Sequence, residues 1–107
     1  MVLISDPPAV TVTSTCSEVV NTSDDCSLTC TPSGGNPQNY AYEWQFRHKF
    51  GESFEAILGA TSTEFLLQSA MDSDAGTYEC LVTNAGGVSS AALDLYVNCQ
   101  YHSILRH

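Results

Sequence analysis

Positive charge is nearly missing from this sequence. Arg47, Lys49 and Arg106 are its only Lys and Arg residues, against twelve Asp and Glu, for a formal net charge of −9. Phosphate backbones are held by clustered cations that displace counterions. Binding to nucleic acid, heparin or an anionic membrane surface is therefore disfavoured, and the acidic excess reads as a solvated surface. Long apolar runs are missing too: nothing approaches the roughly 20 residues that cross a bilayer. The opening MVLI is too short for a signal-peptide core and has no basic stretch before it. The chain is expected to be a piece of a larger secreted or membrane-anchored protein, or a mature form. No window carries apolar residues three and four apart over several turns, which excludes a long amphipathic helix. No internal repeat is visible.

Groups that carry chemistry are also scarce. The histidines are His48, His102 and His107, the first in a turn and the others in the tail QYHSILRH. No Gly-x-Ser-x-Gly or His-Glu-x-x-His motif is present. A nucleophile needs a base held by a third group, and no such set stands out, so the chain reads as no enzyme. Cys26, Cys30 and His48 could be drawn as metal ligands, and Asp72 with Asp74 as a calcium pair. Strand parity favours disulfide chemistry for the first set. Calcium wants six or more oxygens from a shaped loop, so the second reads as a solvated turn. No metal and no cofactor are expected.

Cysteine is what the sequence has in excess. Cys16, Cys26, Cys30, Cys80 and Cys99 give five in 107 residues, with no C-x-x-C pair. That usage points to an oxidising compartment and structural disulfides. Period-two alternation marks strands in PPAVTVTST, CSLTC, YAYEWQF, FEAIL, TSTEFLLQSA, TYECLVT and SSAALDLYV. TPSGGNPQN and RHKFGES read as loop and turn, and SAMDSDAG as one helical or 3₁₀ turn. Seven or so short strands imply an all-β sandwich of two antiparallel sheets.

The stretch DAGTYEC sets Tyr78 and Cys80 on one inward strand face. Together with CSLTC (Leu28, Cys30), Trp44 in YEWQF, Phe65 and Leu67 in FLL, and Asn84 and Gly86 in NAGG, it resembles the immunoglobulin superfamily over residues 7 to 98. The short interval from Cys30 to Cys80 leaves no room for the extra strands of a variable domain, so the likeness is to an intermediate-set or constant-2-set domain. The resemblance implies a Cys30–Cys80 bridge between facing sheets with Trp44 beside it. It also implies a core of Trp44, Leu28, Phe65, Leu67, Tyr78 and Leu95, and a tyrosine corner at Tyr78. Gly76 would permit the tight corner, Asp74 would cap the turn, and NAGG would be a hairpin turn whose Asn and Gly tolerate positive φ. Asp74 lacks the Arg partner that many members place before the fifth strand, because GATSTEF carries no base.

Three cysteines remain. Cys26–Cys99 joins two strand ends expected at one pole; Cys16–Cys99 and Cys16–Cys26 stay open, and an odd thiol could form an intermolecular disulfide. Asn21-Thr22-Ser23 is an N-glycosylation acceptor in a polar turn. Outward positions on the sheet carrying Trp44 should be Glu43, Gln45, Arg47, Glu79, Leu81, Thr83, Asp94 and Tyr96. Among them Leu81, Tyr96, Arg47 and Glu79 are the candidate partner-binding residues, with Leu81 and Tyr96 forming an apolar spot flanked by charge. The loop SGGNPQNY and the turn NAGG should share the pole opposite Cys99.

The expected organisation is an N-terminal extension over 1–6, the immunoglobulin-like domain over 7–99, and a tail or linker over 100–107. The expected function is an extracellular binding module of an adhesion, receptor or immune-type recognition protein. It would act through contact with a protein ligand or a second copy, with no nucleic acid and no membrane insertion. The alternative is a spacer in a multi-domain array.

Overall fold

Alternation decides the strands, and burial follows it residue by residue. The computed structural model describes residues 5–16, 19–49, 51 and 53–98. Strand β1 (Ala9–Ser14) turns Val10 and Val12 inward, and β2 (Val19–Asn21) buries Val20. In β3 (Cys26–Ser33) the buried residues are Cys26, Leu28 and Cys30. In β4 (Ala41–His48) Trp44 is fully buried, with Tyr42 and Phe46 on the same face. Two residues make β5 (Glu55–Ala56) and four make β6 (Glu64–Leu67). A single 3₁₀ turn, Asp72–Asp74, leads into β7 (Gly76–Asn84), and β8 (Gly87–Asn98) closes the fold.

The strands form two layers. One sheet has the order β1-β3-β6 and the other the order β2-β8-β7-β4-β5. Every pairing is antiparallel except β2 with β8, which is parallel. The sequence reading expected antiparallel sheets alone and missed β2. The physical reason is that the first strand is divided. Its first part pairs with β3, and after Cys16 the chain crosses to the other layer and lies beside the end of β8. Three residues carry too short an alternation to be seen.

The same division corrects the Cys26–Cys99 pairing and the Cys16–Cys99 alternative. Cys26 is bonded to Cys16, with Cα atoms 5.5 Å apart. The β1–β3 register runs from Ala9↔Ser33 to Ser14↔Leu28, so its continuation sets Cys16 opposite Cys26. The Thr15 amide donates to the Ser27 carbonyl at 2.9 Å and holds that continuation. The end of β8 is partnered by β2 in its own sheet, whereas Cys26 belongs to the other. Cys99 itself lies outside the described residues.

Between the layers, Cys30 is bonded to Cys80 with Cα atoms 6.2 Å apart. Leu28, Trp44, Cys80, Val82 and Leu95 are inaccessible to solvent around it. The Trp44 indole donates to the Ser62 carbonyl at 2.9 Å, which satisfies its only polar atom in the core. Phe65, half-buried, lies 6.1 Å from Trp44 and 5.9 Å from Tyr78 between ring centroids. Tyr78 donates its hydroxyl to the Asp74 carbonyl at 2.7 Å, and the Asp74 carboxylate accepts the Met71 amide at 2.8 Å. Burial first, and the neighbouring Asp74 charge second, hold the Tyr78 phenol above its ordinary range.

At the other pole the NAGG turn closes the β7–β8 hairpin and takes its positive φ at the second glycine. Neither Asn84 nor Gly86 has positive φ; Gly87 does, at 141°. Asn84 is instead a buried junction, 7% exposed. Its amide nitrogen donates to the carbonyls of Asp6 and Pro37, each at 2.8 Å, and its oxygen accepts the Gly86 amide at 2.8 Å. A Cβ at Gly86 would fall 2.4 Å from the Asp6 backbone. Asp6, assigned to the extension by sequence, exchanges two backbone hydrogen bonds with Asn36. Gly76 likewise serves close approach: a Cβ there would fall 2.2 Å from the Arg47 carbonyl.

Candidate protein-binding face

The outer face of the five-stranded sheet is a grid set by register. The β4–β7 and β7–β8 pairings place Arg47, Thr77 and Asp94 in one row across three strands. The next row is Gln45, Glu79 and Ala92, and the one beyond it Glu43, Leu81 and Ser90. In the opposite direction from Arg47 the chain reaches Lys49 and Tyr96, and Tyr96 is paired with Val19 of β2. Tyr96 is 48% exposed and Val19 50%, so an apolar pair stands in solvent at this end.

The sequence-derived candidates are therefore outward but not one site. Leu81 is half-buried and pairs with Ser90, six residues from Tyr96 along β8. At about 3.3 Å per residue the two are roughly 20 Å apart, and the single apolar spot expected from them does not form. Glu79 lies in the row between. Arg47 and Tyr96 do come together: with Lys49, Gly76, Thr77 and Asp94 they line a shallow depression of about 180 Å³.

The depression is held by polar contacts. Thr77 donates its hydroxyl to Asp94 at 2.7 Å and accepts from the Arg47 guanidinium at 3.5 Å. The guanidinium also stacks over the Phe54 ring, 4.8 Å from its centroid, which fixes it without neutralising it. Lys49 is paired with Asp72 at 3.2 Å. Two of the three Lys and Arg residues of a chain with net charge −9 thus sit beside an exposed tyrosine.

Sequence reasoning missed Lys49 and Val19. Lys49 keeps the outward parity of Glu43, Gln45 and Arg47, and was lost because the strand was ended at Phe46, whereas β4 runs to His48. Val19 carried no signal, because β2 itself was not visible. His48 lies in β4 opposite Gly76, its ring edge-on to Phe46 at 6.3 Å. His102 and His107 lie outside the described residues. Asp72 and Asp74 are engaged by Lys49 and Met71, and among the described residues no three of His, Cys, Asp or Glu converge as metal ligands. No helix among those residues is long and apolar enough to cross a membrane.

Comparison with known proteins places this geometry. The full ectodomain of mouse nectin-like molecule 4, spanning Ig1 to Ig3, superimposes with a TM-score of 0.69 at 25% identity, covering 87% of this chain and 31% of that one. The N-terminal four Ig domains of Dscam1 isoform 7.44 give 0.61 at 25% identity, covering 75% and 18%. The amphioxus IgVJ-C2 molecule gives 0.65 at 18% identity, covering 84% and 44%. The chain thus spans less than half the length of these solved chains. A family model described as the immunoglobulin domain matches residues 7–84, from the prolines before β1 to the Asn84 junction. Sheet order, the bridge between layers and that match agree, and the chain belongs to the immunoglobulin domain family.

Proposed function

We propose that this chain is an extracellular recognition module that binds a protein partner through the outer face of its five-stranded sheet. The observation that carries the reading is the exposed Tyr96–Val19 pair beside Arg47 and Lys49 in an otherwise acidic molecule. Tyrosine and arginine are enriched where interfaces concentrate their energy, whereas lysine and acids are depleted. Arg47 is already oriented by Phe54 and Thr77, so less side-chain freedom is lost on docking. Two disulfides support an oxidising, extracellular setting. The domain likeness to nectin-like molecule 4 and Dscam1 supports an adhesion-type role, and a related solved structure is of the Down Syndrome Cell Adhesion Molecule. We take the module to begin at Asp6, which is tied to Asn36, and to run to residue 99, with 100–107 leading out.

The test is a binding assay on cells and on the purified chain. Tyr96→Ala and Arg47→Glu should each weaken cell binding or self-association by tenfold or more, the effect of losing about 1.4 kcal/mol at an interface anchor. Leu81→Ala should change it little. Unaltered behaviour of both face variants, with the fold intact, would favour a spacer that holds neighbouring domains apart.

A further inference from the structure

We propose that Asn21 carries an N-linked oligosaccharide on the edge strand β2. The sequence supplies Asn21-Thr22-Ser23 with no proline between. Asn21 is the last residue of β2, and Val20 before it is buried, so strand alternation turns Asn21 outward with Val19. The Asn21 carbonyl accepts the Asp24 amide at 3.1 Å, so the acceptor triplet forms the exposed corner of a tight turn. Ser23, at the position whose hydroxyl the transferase reads, has φ of 76° and is exposed.

The Asn98 side-chain amide donates to Asn21 Oδ1 at 3.3 Å. That contact engages the oxygen, and the nitrogen, which takes the sugar, is not consumed by it. In the transfer Asn21 Nδ2 attacks the anomeric carbon of a polyprenyl-diphosphate-linked oligosaccharide. The C–N bond forms, the bond from that carbon to the phosphate oxygen breaks, and the polyprenyl diphosphate leaves as the amide loses one proton. No oxidant or reductant is needed. The bonded Cys16–Cys26 and Cys30–Cys80 pairs fit an oxidising compartment, the kind in which this reaction takes place.

The position has a use. β2 ends the five-stranded sheet, and among the described residues no further strand pairs with its outer side. Open edges recruit other strands unless charge, bulk or a cover prevents it. A sugar on Asn21 supplies that bulk, one strand-pleat beyond the Val19–Tyr96 pair.

The full chain secreted from eukaryotic cells tests it. Wild type should migrate more slowly than the same sample after peptide N-glycosidase, and the peptide map should record the Asn21 amide converted to a carboxylate. Asn21→Gln and Ser23→Ala should abolish the shift, and Ser23→Thr should keep it. Asn21→Gln secreted with both disulfides formed would show that the lost shift is lost sugar. A secreted, oxidised wild-type chain whose Asn21 peptide is unmodified overturns the proposal.

Discussion

Asn84 holds three segments together: the segment before β1 at Asp6, the loop at Pro37 and its own turn at Gly86. Removing its side chain takes the donor from the Pro37 carbonyl and the acceptor from the Gly86 amide, and leaves the Asp6 carbonyl with the Asn36 amide alone. Asn84→Ala should cost about 1–3 kcal/mol, and Asn84→Asp nearly as much, because a carboxylate cannot donate. Urea unfolding measures both. Tyr78 adds a pH dependence. The unfolded chain releases a phenolic proton near pH 10, whereas the folded chain holds the Tyr78 proton to higher pH. Below pH 10 both states keep it and it contributes no slope. Above pH 10 the unfolded state binds fewer protons, so stability falls as pH rises. Tyr78→Phe should remove that part of the alkaline slope, at the cost of the hydrogen bond to Asp74, with phenolate absorbance and unfolding followed together.

Among the elements, the β1–β2 crossing depends on the Cys16–Cys26 bridge. Replacing both cysteines by serine should destabilise by on the order of 3 kcal/mol, less than the roughly 4 kcal/mol expected for the Cys30–Cys80 pair, whose loop is longer. The loss should be read by thermal unfolding, and hydrogen exchange should rise first at Val20 and Asn21. How legible these elements were follows from their length and burial. Cys30, Trp44, Tyr78 and Leu95 lie on strands long enough for alternation to fix their faces. The Cys16–Cys26 bond stood in the sequence as one of three open pairings and not the favoured one, because choosing it needs the β1–β3 register. The candidate site was legible in parity and not in position: Arg47, Glu79, Leu81 and Tyr96 all face outward, but only register shows that Tyr96 adjoins Arg47 and not Leu81. The role of Gly86 was hidden too, because its partner is backbone at Asp6.

Across the whole molecule, the described chain starts at the Asn84 pole and leaves β8 at the other end, so neighbouring modules joined through both ends would lie in line. The two bridges act in series: β1 runs down to Cys16, which is tied to Cys26, and Cys30 four residues later is tied to Cys80. A stretched, oxidised domain can therefore lengthen only through residues 5–16, 26–30 and 80–98, while 17–25 and 31–79 stay short-circuited. Its extensibility is set by covalent chemistry, so a reducing agent would act on it as a mechanical release.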